Sequence, residues 1–316
     1  MGNSCYQSSV IQALYGAVPF KDFVISKSFP SMMNADNPNV SLALALGNLL
    51  CQMSQSSTSS FISPDEFYNE SIQVIDQITK YQQQDVSVDF LAPLLDKLHE
   101  ATNKATDKST DELPVKEDGQ TDAEAAMLSR AAHQKNDDSI IKEFFSSQLR
   151  CTKRCTICGT SEIKFEESSL MTVPIPTKND SNEAVSECTI YDCIRQFSTK
   201  EILNGSNVVE CATCTKNMDA TSHCRTVHEK VIEPFNTSPI VVISLNKFQY
   251  DINGNRSSKI ETKVNFDIDN IIIAGVAHEV FATSNHHGGT GGGHYTAYVK
   301  NQNSMGQCCH DNCGCG

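Results

Sequence analysis

The sequence lacks several features that mark particular classes of protein. None of its 316 residues is tryptophan. Its apolar runs, such as 240–243 and 271–274, are far shorter than the roughly 18 residues that span a bilayer. The N-terminus has no basic segment followed by an apolar one, so no secretory signal is expected. We therefore expect a protein without membrane association.

Positive charge is also scarce. The chain has 25 Lys and Arg residues against 38 Asp and Glu residues, which gives a net charge of −13. A phosphate backbone or an anionic membrane would repel such a chain, so nucleic acid is not an expected partner and a basic partner is favoured. The absence of a stripe of aromatic and basic residues also disfavours a zinc-knuckle module for single-stranded nucleic acid.

Cysteine, in contrast, is abundant, with 14 residues in the chain. This content is below the ~8–10% of short disulfide scaffolds. Without a secretory signal, the cysteines are expected to be thiols or metal ligands in a reducing compartment. We therefore expect a cytoplasmic or nuclear protein.

The chain changes character along its length. In the first hundred residues apolar side chains recur at helical spacing, and Pro93 predicts that one helix begins near Ala92. Residues 101–139 are polar and acidic, which predicts a flexible insertion with a short helix over 123–132. Later segments such as 240–248 are β-branched and aromatic, as strands are. Helices followed by strands indicate an α+β fold.

Cys5 is a candidate nucleophile. It lies where an amphipathic helix is predicted to begin, and the unpaired N–H groups and positive dipole end of a helix start favour a thiolate. The alternative is a buried packing residue, since cysteine is among the most often buried residue types.

His294 is a candidate general base. It follows a glycine-rich segment, 288–293, and begins a predicted strand that would fix its ring, although a histidine after glycines can also be a simple turn feature. Asp311 and Asn312 supply a carboxylate and an amide that could orient an imidazole. A Cys, a His and an Asp spread along the chain fit a thiol protease triad.

Two C-x-x-C pairs predict a zinc site formed by Cys155, Cys158, Cys211 and Cys214. The interval between the pairs is much longer than the ~15–20 residues of a compact zinc ribbon, so the metal would join two distant hairpins. A redox dithiol is the alternative. Four further cysteines are interpreted as packing residues, namely Cys151, Cys188, Cys193 and Cys224, and the cysteine-rich C-terminus is interpreted as an exposed tail without a second zinc.

Five segments together resemble the ubiquitin-specific proteases, the papain-like family of deubiquitinating enzymes. Residues 2–14 resemble the Cys box of that family and 293–298 resemble its His box. Gln83, Gln84 and Asp85 with the apolar residues after them are similar to its Gln-Gln-Asp helix segment. The two C-x-x-C pairs fall where the fingers of the family bind zinc, and 244–250 resembles the strand that follows. The match runs in order over the chain except for 101–136.

The resemblance implies one catalytic domain over residues 1–316 with a papain-like thumb, palm and fingers. The implied parts are a helical thumb at 1–100, the insertion at 101–139, fingers with a zinc-ribbon-like site at 140–235 and a palm at 236–316. A structural Zn²⁺ is implied at the four cysteines. The implied partners are ubiquitin and ubiquitinated proteins, and the implied state is a monomer.

The resemblance also implies roles for individual residues. Cys5, His294 and Asp311 would form the catalytic triad, with Asn312 in support. Substrate-binding candidates are Gln84, Asp85, Gly293 and Tyr295. The implied activity is that of a thiol isopeptidase, a hydrolase that cleaves the bond between the C-terminal glycine of ubiquitin and a substrate lysine.

One departure from the family supports a second hypothesis. The oxyanion-hole Asn of the family lies five residues before the nucleophile, a position that precedes Met1 here. Loss of such a donor typically costs ~2.7–4 kcal/mol of transition-state stabilisation. A catalytically weak or inactive ubiquitin-binding scaffold is therefore the alternative function, although a pure binding module need not keep Cys5, His294 and Asp311.

Overall fold

The computed structural model describes residues 4–56, 61–75, 86–105, 109–179, 181–216, 224–250 and 256–301. Gln84, Asp85, Asp311 and Asn312 lie outside these ranges, so their assigned roles stay predictions. None of the described helices combines the length and the apolar character that a bilayer crossing requires.

Helices dominate the first part of the chain and strands the second, as the α+β prediction requires. The helices are α1 (Cys5–Gly16), α2 (Val18–Val24), α3 (Val40–Gln55), α4 (Asp65–Val74), α5 (Ala92–Thr102), α6 (Asp122–Gln134), α7 (Ile140–Phe145), α8 (Ile190–Phe197) and α9 (Ala212–Lys216). Short 3₁₀ turns cover Pro30–Met32 and Gly205–Asn207, and a π-helical turn covers Val86–Leu91. The start of α5 at Ala92 confirms the boundary that Pro93 predicts.

The strands begin after α7. They are β1 (Ser147–Cys155), β2 (Ser161–Ser168), β3 (Met171–Pro174), β4 (Glu187–Thr189), β5 (Glu201–Leu203), β6 (Val209–Glu210), β7 (Arg225–Thr226), β8 (His228–Asn236), β9 (Ile243–Asn246), β10 (Phe248–Tyr250), β11 (Arg256–Lys259), β12 (Lys263–Asn265), β13 (Ile271–Ile273), β14 (Val276–His278), β15 (Ala282–Gly289) and β16 (Gly292–Val299).

The chain divides into two compact units. Unit 1 contains Met1–Lys97, Ile268–Ile271 and His278–Gly316, and unit 2 contains Leu98–Asp267 and Ile272–Ala277. The segment predicted as the palm, 236–316, therefore contributes to both units. The boundaries implied by the resemblance stay predictions.

In unit 1, α1 packs against the antiparallel hairpin β15–β16. The last residue of the helix, Gly16, approaches Val299 so closely that a Cβ atom added there would lie 2.4 Å from Val299 Cγ1. Near the other end of the contact, the hydroxyls of Ser9 and Ser284 lie 2.9 Å apart. The small residues of α1 thus let the helix lie directly on the strands.

In unit 2, an antiparallel sheet with the strand order β2–β1–β8–β5 carries α6 on one side. Ala125 and Ala126 of α6 form a buried cluster with Phe165 of β2. The side chains of Thr121 and Glu124 form a capping box that satisfies backbone N–H groups at the helix start.

The helix predicted over 123–132 within the insertion is observed as α6. The sequence predicts a helix there, but its composition gave no sign of the contacts that fix it. Asp122 at the helix start pairs with Lys116, at 2.5 Å, and with Arg150 of β1, at 2.8 Å. The Ser129 hydroxyl donates to the Phe165 carbonyl at 2.5 Å. The described part of this segment from Asp122 to Gln134 is thus packed against the sheet.

We predict that Gly16→Ala destabilises unit 1, because the new methyl group would overlap Val299. Overpacking of this kind typically costs about 1–3 kcal/mol. Chemical denaturation of Gly16→Ala measures the loss. As the control, Gly16→Ala is also introduced into a chain that carries Val299→Ala, because the smaller side chain at position 299 makes room for the new methyl group. If Gly16→Ala lowered the free energy of unfolding equally in both chains, the proposed contact would be contradicted.

Candidate active site and thiol cluster

Cys5 is the first residue of α1 and is half-buried. The first turn of α1 contains no acidic residue, so no carboxylate of that turn opposes a negative charge on the thiol. The backbone N–H groups at a helix start have no partner within the helix, and together with the dipole they favour an anion. The structure therefore places Cys5 where the sequence prediction requires it.

The residues next to Cys5 fix the start of α1. Tyr6 is buried and packs edge-to-face against Phe90, with ring centroids 5.3 Å apart. Gln7 is also buried, and its side-chain amide donates to the Tyr6 hydroxyl at 3.1 Å and to the Ser71 hydroxyl at 3.2 Å. These contacts join the segment that carries Cys5 to α4 and to the turn before α5.

His294 lies on β16, the strand against which α1 packs. Its side chain is exposed, whereas the next residue, Tyr295, is buried. The Tyr295 ring lies 4.7 Å from the ring of His286 on the paired strand. The structure thus brings the helix of Cys5 and the strand of His294 together within one unit.

A small cavity lies between α1 and β16. Its volume is about 250 Å³, and it is lined by Ser8, Ser9, Gln12, Tyr295, Ala297 and Val299. The polar residues come from α1, one to two turns after Cys5, and the others are alternate residues of β16. Of these residues the sequence analysis identified only Tyr295. Most of the others fall within the segments that resemble the Cys and His boxes, but nothing in their residue types indicated a cavity.

Gly293, a predicted substrate-binding residue, has a structural reason to be glycine. A Cβ atom at this position would lie 2.3 Å from both the His286 Nε2 atom and the His287 carbonyl oxygen. The opposite strand therefore excludes a side chain here. Any contact of Gly293 with a substrate would be made by its backbone.

The four cysteines of the C-x-x-C pairs lie together in unit 2. Their sulfur atoms all lie within 4.8 Å of one another. Cys155 Sγ is 3.8 Å from Cys214 Sγ, and Cys158 Sγ is 3.6 Å from Cys211 Sγ. This set of four clustered thiols is what a tetrahedral metal ion requires. The prediction that two distant pairs meet is confirmed.

Two turns build this thiol cluster. Cys155 ends β1, and the turn after it closes with the Gly159 N–H donating to the Cys155 carbonyl at 3.0 Å. Gly159 has a φ of +75°, which glycine adopts without strain. In the second turn Cys211 precedes α9, and the Cys214 N–H points at Cys211 Sγ, at 3.5 Å. Each C-x-x-C pair therefore folds back on itself.

Hydrogen bonds set unequal acidities within the cluster. Burial opposes ionisation of Cys155, but contacts with the Thr226 hydroxyl and with the backbone N–H groups of Ile157 and Cys158 outweigh it and lower the pKa to about 5. Contacts with Thr160 lower the pKa of Cys158. Burial raises the pKa of Cys211 and Cys214. Thr226, which is 3.2 Å from Cys155 Sγ, was not found by the sequence analysis.

We predict that Gly293→Ala destabilises unit 1 and distorts the turn of the β15–β16 hairpin, because the methyl group would collide with the backbone carbonyl of His287. Backbone cannot move aside as a flexible side chain can, so the expected loss is about 1–3 kcal/mol or more. Gly291→Ala is the matched control, since no heavy atom lies within 4 Å of a Cβ atom there. Equal stability of the two variants in chemical denaturation would refute the close contact.

Comparison with known proteins identifies the family. The family model described as ubiquitin carboxyl-terminal hydrolase matches residues 1–312. Human ubiquitin carboxyl-terminal hydrolase 2 is 27% identical over 309 residues, which cover 95% of this chain and 48% of the human protein. Human ubiquitin carboxyl-terminal hydrolase 21 is 24% identical, with 96% of this chain and 55% of that protein covered. The chain thus spans about half the length of these relatives.

A solved structure supports the fold. A chain in the SAGA Ubp8/Sgf11/Sus1/Sgf73 DUB module bound to ubiquitin aldehyde matches with a TM-score of 0.67 and 16% sequence identity. The match covers 96% of this chain and 61% of that chain. The family model spans the helix of Cys5, the strand of His294 and the thiol cluster, which lies between them in the sequence. The chain therefore belongs to the ubiquitin carboxyl-terminal hydrolase family.

Proposed function

We propose that the protein is a deubiquitinating thiol isopeptidase with Cys5 as its nucleophile. The observation that carries the proposal is the packing of α1, with Cys5 at its first position, against β16, with His294 near its start, in a member of this family. The two segments lie near opposite ends of the sequence, and the fold packs α1 against β16. Relatives named ubiquitin carboxyl-terminal hydrolases support the same reaction.

In the proposed mechanism the Cys5 thiolate attacks the carbonyl carbon of the C-terminal glycine of ubiquitin. His294 first accepts the thiol proton and then donates it to the leaving lysine amine as the isopeptide bond breaks. Water then hydrolyses the thioester and frees the enzyme. Asp311 would orient the His294 ring, with Asn312 in support. The helix start at Cys5 would stabilise negative charge at the reacting centre.

Ubiquitin and ubiquitinated proteins are the proposed partners. The neighbouring solved structure is bound to ubiquitin aldehyde, and it shares its fold with this chain. An acidic chain with a net charge of −13 also suits a basic partner surface. In this proposal the backbone of Gly293 and the ring of Tyr295, with Gln84 and Asp85, contribute to substrate binding.

A structural Zn²⁺ is proposed at the thiol cluster. Cys155, Cys158, Cys211 and Cys214 offer four sulfur ligands, the set that zinc takes in structural sites. The ion would tie the end of β1 to the start of α9 and would have no part in the reaction. Because thiolate ligands persist in reducing compartments, we also propose a cytoplasmic or nuclear location.

We predict that Cys5→Ala abolishes reaction with ubiquitin that carries a C-terminal electrophile and leaves ubiquitin affinity unchanged. The variant removes the nucleophile but little packing, since Cys5 is half-buried. Intact mass spectrometry detects the adduct, and calorimetry measures the affinity. Cys51→Ala, a half-buried thiol on α3 in the same unit, is the matched control and should react like the natural chain.

Two results would contradict this proposal. An adduct on another cysteine of the Cys5→Ala chain would show that the nucleophile is wrongly assigned. Tight ubiquitin binding by the natural chain with no adduct and no cleavage would instead support the inactive scaffold.

We predict that Cys158→Ser lowers bound zinc well below one ion per chain and lowers the melting temperature by about 5 °C or more. Structural zinc contributes directly to folding, and each lost kcal/mol lowers the melting temperature by roughly 2–4 °C in a domain of this size. Metal analysis and calorimetry measure the two effects. Cys224→Ser is the control, because Cys224 packs against the cluster but is outside the set of four. Equal zinc content in both variants would refute the assigned ligands.

A further inference from the structure

Two histidines face each other across the β15–β16 hairpin. The register of the antiparallel ladder pairs His287 directly with His294. Directly opposed residues project from the same face of a ladder, with Cβ atoms about 4.5–5.5 Å apart. Both side chains are exposed. His286, in contrast, belongs to the other face, where its ring lies against Tyr295.

A threonine on the same face holds the ring of His287. The His287 Nε2 atom lies 3.2 Å from the Thr296 hydroxyl oxygen. In the tautomer in which Nε2–H donates to Thr296, the lone pair of the ring is on Nδ1. Histidines that bind metals commonly donate their second ring N–H to an outer acceptor such as a carboxylate, a backbone carbonyl or water, which fixes the ring and the tautomer. In that tautomer the Thr296 hydroxyl takes the place of such an acceptor and leaves Nδ1 open to a metal ion.

The rest of this face is neutral. By strand alternation its other members are Thr283, Asn285 and Tyr298, and the Asn285 amide donates to the Thr283 hydroxyl at 3.1 Å. No carboxylate lies on this face among residues 282–289 and 292–299. Calcium and magnesium prefer oxygen ligands, whereas neutral imidazoles suit copper, nickel and zinc. The chemistry of the pair thus selects a first-row transition metal ion.

We propose that His287 and His294 form a bidentate site for a divalent transition metal ion, separate from the thiol cluster. His287 binds the ion through Nδ1 with Thr296 as its outer partner, His294 supplies the second nitrogen, and water completes the coordination. An ion bound in this way occupies the lone pair of His294 and so inhibits cleavage. This inhibition rests on the proposed catalytic role of His294, whereas the metal binding does not.

The test measures Ni²⁺ binding by the untagged, zinc-loaded chain that carries Cys5→Ala, so that no reactive thiol at position 5 contributes. Calorimetry gives the affinity, and imidazole NMR identifies the histidines, because paramagnetic Ni²⁺ broadens the resonances of its ligands. Four variants are compared, namely His287→Ser, His294→Ser, Thr296→Val and the double variant His287→Ser with Asn285→His. The double variant keeps the number of histidines but moves one away from the position opposite His294.

We expect His287→Ser, His294→Ser and the double variant to lose Ni²⁺ binding at this site. Thr296→Val should weaken the Ni²⁺ affinity about 10-fold, as loss of an outer partner does. In the unsubstituted site the resonances of His287 and His294 should broaden together. Unchanged affinity in His287→Ser, or broadening that excludes either histidine, would overturn the proposal. Because both histidine side chains are exposed, these variants should keep the melting temperature of the natural chain. The melting temperature of each variant therefore serves as the check that the hairpin is intact.

A separate measurement keeps the two proposals apart. The chain with Cys5 present is assayed for cleavage of a ubiquitin conjugate with and without Ni²⁺. The rate of each variant with Ni²⁺ is compared with the rate of the same variant without the metal. Inhibition that disappears in His287→Ser supports the site and its effect. Metal binding at both histidines with an unchanged cleavage rate supports the site but contradicts the role of His294 in the proposed function.

Discussion

The close packing of α1 on the β15–β16 hairpin is the contact on which the candidate active site depends. It joins residues near the two ends of the chain, so it must form against the entropy of closing a very long loop. A helix can lie this near a strand only where its contact residues are small. Gly16 against Val299 and Ser9 against Ser284 meet that condition. The position of Cys5 is then set by the helix that carries it.

The same hairpin shows why a motif can serve structure and function together. The absence of a side chain at Gly293 is required by the His286 ring and the His287 carbonyl, before any substrate is considered. Tyr295 is held by burial and by the ring of His286. A glycine and a tyrosine beside His294, the proposed general base, are therefore explained in part by how the strand is built. That construction in turn fixes the backbone that carries His294.

Features of the structure that depend on a few neighbouring residues could be predicted from the sequence. Pro93 predicted the start of α5, and the paired C-x-x-C spacing predicted the thiol cluster, because each depends on a few neighbouring residues. The sequence was insufficient where partners are distant. The helix over 123–132 was predicted, but composition alone could not show that Asp122 meets Arg150. The pairing of His287 with His294 depends on the hairpin register, which the glycine-rich turn conceals.

The cysteines outside the thiol cluster show how strongly environment decides the role of a residue. Cys188 precedes the cap residue Thr189 of α8, and Cys193 lies one turn into that helix, with sulfur atoms 3.9 Å apart. These are the two positions of a hydrophobic staple, in which apolar side chains fix the entry of a chain into a helix. Burial raises the pKa of Cys193 to about 12, so this pair stays protonated and packs as apolar groups do.

The sulfur atoms of the thiol cluster are separated by distances similar to that between Cys188 and Cys193, but their environment differs. There, contacts with Thr226 and backbone N–H groups lower the pKa of Cys155, and Thr160 does the same for Cys158. The fold therefore prepares one C-x-x-C pair to ionise, while burial holds back Cys211 and Cys214 on the other. Four thiolates so close together would repel one another strongly, and a divalent cation bound there would remove that repulsion as it displaced the remaining protons. Hydrogen-bond donors near the sulfurs, and not the sulfur separation, distinguish the proposed metal site from the packed pair of Cys188 and Cys193.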